Sequence, residues 1–134
     1  MKLLKALSVI LVAHTLLSST CSKNDDVVSP GTGGNIAGSW KVSFYWDNTK
    51  DETNKFSGYA FTFNSNGQLA AVKGSSTVTG SWTETSTKLI IDFGADPVLS
   101  DMNDDWLKTE KTTTTIKVKD DNPARDERLE FVKN

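Results

Sequence analysis

Acidic residues carry the first chemistry that this sequence suggests. Residues 101–105 read Asp-Met-Asn-Asp-Asp, which has the Asp-X-Asn-X-Asp spacing that opens an EF-hand calcium loop. That loop also requires glycine at its sixth position and glutamate at its twelfth, where this chain has Trp106 and Thr112. We therefore expect an acidic loop that caps a helical turn between Val98 and Asp105, with Ser100 or Asp101 as the cap, and no metal site.

Paired carboxylates could also support glycoside hydrolysis, which needs two carboxyl groups about 5–9.5 Å apart across a cleft. A second acidic patch, formed by Asp47, Asp51 and Glu52, is interleaved with Lys50 and is typical of a solvated hairpin tip. Few acidic residues occupy the positions that would face the interior of a sheet. We therefore predict that the protein is not an enzyme.

The first twenty residues have the pattern of a secretory signal peptide. Residues 1–5 carry two lysines, residues 6–17 are almost wholly apolar, and the small residues Ser18, Ser19 and Thr20 follow. The apolar run is about a dozen residues long, whereas a membrane-spanning helix needs about twenty.

The only cysteine, Cys21, comes directly after these small residues and resembles the lipid-modified cysteine of a bacterial lipobox. That resemblance implies that Cys21 carries a diacylglycerol and an acylated amino terminus, which together anchor a protein stably. The alternative is an ordinary cleaved signal peptide with a chance cysteine beyond it. Residues 22–26, Ser-Lys-Asn-Asp-Asp, are similar to the start of Bacteroidetes lipoproteins that reach the cell surface. We expect an outer-membrane lipoprotein, lipid-anchored and exposed at the cell surface.

Loss of residues 1–20 would remove the only histidine, His14, and would change the formal charge from −2 to about −4 because Lys2 and Lys5 leave. A chain without histidine and with an acylated cysteine has no Ser-His-Asp or Cys-His catalysis and no zinc site built on those side chains. Its mildly acidic charge argues against nucleic acid as a partner. We expect a monomer without cofactors.

The domain organisation follows from composition. Residues 21–35 are rich in polar residues and glycine and predict a flexible tether. Residues 36–134 alternate apolar and polar side chains with a period of two, in about eight short segments separated by turn residues such as Asn66-Gly67. This pattern predicts an all-β domain, either an antiparallel up-and-down barrel or a sandwich, and we favour the barrel of about eight strands.

Gly38-Ser39-Trp40 opens the first predicted strand and resembles the Gly-X-Trp motif of lipocalins. Residues 36–134 as a whole are similar to small lipocalin-like lipoproteins of Bacteroidetes. The resemblance implies that Trp40 plugs one end of the barrel and that a basic residue late in the chain, Arg128 or Arg125, packs over it. The chain is shorter than a typical lipocalin, so a ligand cavity does not follow from the likeness.

Aromatic residues dominate the positions that we assign to the interior, whereas Tyr45 has the opposite phase and is expected at the surface. The interior-facing set is Trp40, Phe44, Trp46, Tyr59, Phe61, Phe63, Trp82 and Phe93. These side chains either fill the barrel or line an apolar cavity for a small hydrophobic ligand, with walls at Trp46, Phe61, Trp82 and Phe93. If these side chains fill the barrel, we expect a packed module that presents its loops to a protein or glycan partner.

Overall fold

The computed structural model describes residues 36–134 and contains only strands, turns and two single-turn helices. The predicted signal peptide (1–20), the lipidation site Cys21 and the tether (21–35) lie outside the described residues. Within the described range, no helix has the length and apolar character needed to cross a membrane. The strands are β1 (Gly38–Asp47), β2 (Lys50–Asp51), β3 (Ala60–Phe63), β4 (Gln68–Lys73), β5 (Ser76–Glu84), β6 (Lys88–Asp92), β7 (Asp104–Lys111), β8 (Thr115–Lys119) and β9 (Glu127–Lys133).

The strands form one closed antiparallel barrel. From β3 to β9 each strand pairs with the next along the chain, β1 pairs with β3 on one side and β9 on the other, and β2 adds a two-residue strand beside β1. The pairing of β1 with β9 closes the sheet and covers the two edges that an open sheet would expose. The prediction of an all-β, up-and-down barrel of about eight strands is confirmed.

The period of two explains the core, because alternate side chains of a strand point to the same face. On β3, for example, Phe61 and Phe63 are buried while Ala60 and Thr62 are only partly so. The Asn66-Gly67 signal also marks the β3–β4 connection, where Gly67 has a φ of 86° and donates its backbone N–H to Asn64 O at 3.0 Å.

The barrel has two distinct ends. At the first, which we call the Trp40 end, β1 begins, β5 finishes at Glu84 and β9 finishes at Lys133. At the second, which we call the mouth, β1 finishes, β7 begins, and residues 120–126 connect β8 to β9. The two ends therefore carry different sets of side chains.

A β-bulge in β1 reverses the predicted phase of that strand's second half. Val42 pairs with Phe131, but the next pair joins Phe44 to Glu130, which leaves Ser43 as an extra residue. Tyr45 is therefore buried at 2% exposure, contrary to the surface position predicted for it. Phe44 and Trp46, which were predicted to face the interior, are only partly buried and lie on the outer face, opposite to Tyr45.

The helical turn predicted within residues 98–105 is a single 3₁₀ turn, Leu99–Met102. The cap comes from neither Ser100 nor Asp101. Asp96 Oδ1 accepts hydrogen bonds from the backbone N–H groups of Val98 and Leu99, at 3.0 and 2.8 Å. A second 3₁₀ turn, Thr53–Phe56, had no counterpart in the sequence analysis.

Candidate functional site

The barrel interior is filled by aromatic rings that meet edge to face. Phe61 is fully buried, and its ring centroid lies 5.8 Å from that of Phe131, 6.3 Å from that of Phe93 and 6.5 Å from that of Phe56. Phe63 continues this packing, with its ring 5.6 Å from Phe131. Edge-to-face pairs at such distances are attractive beyond the area they bury. The described interior therefore has the contacts of a packed core.

Three of the four predicted cavity residues lie inside the barrel, and the fourth does not. Phe61, Trp82 and Phe93 are between 0% and 5% exposed. Trp82 also donates its indole N–H to Asn64 O at 2.9 Å, as expected for a buried indole. Trp46 lies on the outer face because of the bulge, where the Arg128 guanidinium covers its ring at 5.9 Å from the centroid.

Trp40 lies near the start of β1, at the Trp40 end of the barrel. It is fully buried and donates its indole N–H to Ile36 O at 2.7 Å. Neither Arg128 nor Arg125 packs over it. The pairing of β1 with β9 places Lys133 opposite Trp40 and Arg128 opposite Trp46, so the basic side chain over the Trp40 ring is Lys133, at 4.9 Å from the centroid.

The Trp40 end also holds a buried ion cluster. Glu84 is 8% exposed, and its Oε1 accepts hydrogen bonds from Lys108 Nζ at 2.7 Å and Lys111 Nζ at 2.5 Å. Lys108 also donates to Thr85 O. Burial alone would raise the pKa of Glu84, but the two lysines lower it below its ordinary value.

Three inward-facing carboxylates meet at the mouth: Asp104 from β7, Asp120 just after β8, and Glu127 from β9. We call them the carboxylate cluster. One oxygen of each lies within 4.8 Å of one oxygen of each of the others. Asp120 and Glu127 are both 5% exposed, and burial together with the charge of Asp120 raises the pKa of Asp104.

The guanidinium of Arg125 lies within ion-pair distance of all three carboxylates of this cluster. Arg125 donates from Nη2 to Glu127 Oε1 at 2.5 Å, and its Nη1 lies 3.2 Å from Asp120 Oδ2 and 3.7 Å from Asp104 Oδ2. The Arg125 side chain is 48% exposed, so it lies at the rim rather than among the carboxylates. Asp120 Oδ2 is buried and accepts no hydrogen bond.

Asn48 fixes the β8–β9 connection to the end of β1. Its Nδ2 donates to Glu127 Oε1 at 2.8 Å, and its backbone N–H donates to Asp126 O at 3.0 Å. Asn48 has a φ of 51°, in the left-handed region that asparagine tolerates better than most residues. Its side-chain bond to Glu127 holds that carboxylate in the cluster.

A surface pocket of about 390 Å³ opens beside the carboxylate cluster. Asp120 and Glu127 belong to both, and Arg125 also lines the pocket, so the pocket borders two of the three residues of the carboxylate cluster. Charges of both signs and one amide make it a polar site. The remaining lining residues are Leu107, Lys119, Asp121, Asn122, Pro123, Asp126 and Arg128.

The Asp-X-Asn-X-Asp segment at 101–105 does not form a site of its own. Asp101 pairs with Lys55 at 2.7 Å, and Asp105 with Lys88 at 2.5 Å. The side chain of Asn103 bonds to the backbone, accepting from Phe93 N and donating to Gly94 O. The side chains of Asp101, Asn103 and Asp105 therefore point to different partners. Asp104 is the only residue of this segment that joins the carboxylate cluster.

The fold thus defines the class of the protein as a closed antiparallel up-and-down β-barrel, an architecture consistent with a lipocalin-like domain. No protein-family model matches the chain, and no curated protein or solved structure matches it either.

Sequence reasoning did not find the carboxylate cluster, because its members are separated by up to 23 positions and are joined only by strand pairing. The period of two offers one usable signal. Asp104 continues the inward phase of Trp106, Asp120 that of Val118, and Glu127 that of Leu129. Acidic residues in that phase at strand ends predict a charged barrel mouth.

We expect Glu84→Gln to remove an acid-sensitive part of the stability. Because the folded-state pKa of Glu84 lies below its ordinary value of 4.5, its contribution is present above that pH and is lost as pH falls through the folded value. At neutral pH the variant should lose about 1–3 kcal/mol of unfolding free energy, measured by urea titration, because two lysines lose their charged acceptor.

The matched control is Glu110→Gln, which removes an exposed ion pair with Lys117 and should change stability by less than about 0.5 kcal/mol. Between pH 6 and about pH 3, the wild type should lose more stability than Glu84→Gln. Parallel pH curves for the two proteins would contradict the role assigned to Glu84.

Proposed function

We propose that this protein is a lipid-anchored module of the outer membrane, exposed at the cell surface, in which a packed β-barrel presents its mouth to a polar partner. The observation that carries this proposal is the ring packing around Phe61. A hydrophobic ligand needs an apolar cavity of its own size, and the rings of Phe56, Phe93 and Phe131 take up the space around Phe61. Recognition is then left to the surface.

The mouth is the part of that surface best suited to recognition. Its pocket combines the carboxylates of Asp120 and Asp126, the guanidinium groups of Arg125 and Arg128, and the amide of Asn122. Hydrogen bonds also hold its loop in shape, since Asp120 Oδ1 accepts from Asn122 N at 2.7 Å. A preformed polar pocket of this kind favours a protein loop or a glycan over a lipid chain.

The anchoring proposal rests on Cys21 and the residues before it. We expect Cys21→Ser to move the protein from the membrane fraction to the soluble fraction, or to block its processing, because no acyl group is then attached. Ser22→Ala is the matched control and should stay in the membrane fraction. Intact-mass measurement should give a wild-type chain that begins at Cys21 and carries acyl mass.

Protease treatment of intact cells tests which side of the membrane the barrel faces, and degradation of the wild type is the expected result. If Cys21→Ser is processed and retained in the membrane as the wild type is, the proposal of a lipid anchor is wrong.

The packed interior predicts the outcome of Phe61→Trp. A larger ring must displace the rings packed against Phe61, so the variant should lose about 1–3 kcal/mol of unfolding free energy. Phe44→Trp makes the same change on the outer face and should alter stability by less than about 0.5 kcal/mol. Urea unfolding followed by circular dichroism measures both.

The same two variants separate the packed module from the hydrophobic-ligand alternative. If the barrel held a cavity, Phe61→Trp would fold with near-wild-type stability, and a panel of fatty acids would quench wild-type tryptophan emission more than that of the variant. That pair of results would replace the packed module with an apolar carrier.

A further inference from the structure

We propose that the carboxylate cluster at the mouth binds one divalent cation, with calcium as its preferred ion and Arg125 moving aside as the ion enters. The proposal concerns Asp104, Asp120 and Glu127 and does not depend on the anchor or on the partner proposed above. It departs from the expectation of no metal site, which was based on the sequence pattern at residues 101–105.

The spacing of the carboxylate cluster suits a hard cation. Calcium binds oxygen at 2.3–2.6 Å, so two oxygens on opposite sides of one ion lie about 4.8 Å apart and all other pairs lie closer. The three carboxylates meet that limit, with one oxygen of each within 4.8 Å of the others. An all-oxygen set selects calcium, magnesium or manganese rather than zinc or copper.

The charge of the carboxylate cluster is not balanced by the protein. Among residues 36–134, Arg125 is the only cation within ion-pair distance of Asp104, Asp120 or Glu127. One guanidinium therefore faces three carboxylates and cannot balance their combined charge, although two of the three residues are 5% exposed. Buried charge of one sign is costly unless a counter-charge joins it, and a divalent ion would supply that charge.

Asp120 gives a second, independent reason to place a ligand here. Its Oδ1 accepts a hydrogen bond from Asn122 N, but its buried Oδ2 accepts none, and Arg125 Nη1 at 3.2 Å lacks hydrogen-bond geometry. The carboxylate is therefore fixed in position by one oxygen and presents the other to the carboxylate cluster. Such an oxygen is available to coordinate a cation, because buried polar atoms that accept no hydrogen bond are rare.

The neighbouring groups allow an ion to enter. The surface pocket borders Asp120 and Glu127, so solvent lies next to two residues of the carboxylate cluster. Arg125 is half-exposed and can turn into solvent when an ion replaces its charge. Asn48 Nδ2 holds Glu127 Oε1 at 2.8 Å, so that carboxylate keeps its place without the arginine. Water completes the coordination shell, as calcium's flexible geometry permits.

The test is calcium titration of the purified full chain after chelator treatment, followed by calorimetry and by the unfolding temperature. Extracellular calcium modules bind with Kd values of about 10⁻⁴–10⁻³ M, so the titration should reach about 10 mM. We expect saturable binding of one ion and a rise in unfolding temperature, because the native state alone holds the site. Magnesium, which demands a stricter octahedral shell, should bind more weakly.

Three variants locate the site. Asp120→Asn should weaken calcium binding about tenfold or more, because it removes the charge of a proposed ligand. Arg125→Gln should tighten binding, because the competing cation is gone while the ligands remain. Glu110→Gln is the control, since Glu110 pairs with Lys117 near the end of β7, at the Trp40 end, and its loss should leave the Kd unchanged.

Two results would overturn the proposal. One is the absence of saturable binding by both the wild type and Arg125→Gln up to the highest calcium concentration. The other is equal binding by the wild type and Asp120→Asn, which would place the ion elsewhere. Arg125→Gln keeps the test decisive if Asp120→Asn does not fold.

Discussion

The backbone pairing of β1 with β9 joins the first strand of the barrel to the last, and the placement of both ends depends on it. The register puts Lys133 beside Trp40 at one end and Glu127 beside Asp47 at the other. The first pair gives Trp40 its cationic cover. The second brings Glu127 to the mouth, where Asn48 and the β8–β9 loop hold it. A shift of this register by one residue would reverse which β9 side chains face inward.

The bulge at Ser43 changes which side chains of β1 face the interior. Before it, Trp40 faces the interior and pairs with Phe61 of β3. After it, Tyr45 faces inward, packs on Phe56 with ring centroids 5.2 Å apart, and donates its hydroxyl to Asp101 O at 3.2 Å. Burial and the charge of Glu127 raise the pKa of this hydroxyl. The bulge thus closes the core beneath the mouth and turns Trp46 outward.

Most of the fold could be predicted from local patterns in the sequence. Alternation of apolar and polar residues predicted the eight main strands because burial of one face imposes a period of two. The Asn66-Gly67 turn was also predicted, since its backbone requirement is local. The bulge was not, because an extra residue such as Ser43 leaves no mark when Phe44, Tyr45 and Trp46 are all large and apolar enough to face either way.

The sites were harder to predict than the strands. Trp40 could be placed from its motif, but its basic partner could not, because the choice among Arg125, Arg128 and Lys133 depends on strand register alone. The carboxylate cluster depends on three strand ends that the pairing of β7, β8 and β9 brings together. Side chains distant in sequence meet through tertiary pairing, which no single-strand pattern encodes.

Native-state hydrogen exchange of the β1 and β9 backbone amides tests the central claim, that this seam closes the barrel around a packed core. If the account is right, these amides exchange only through global unfolding, and their opening free energies equal the unfolding free energy from urea titration. The claim would be contradicted if the amides of β1 and β9 opened at a much lower free energy than those of β4 and β5. The β1–β9 pairing would then break while the rest of the sheet stays folded.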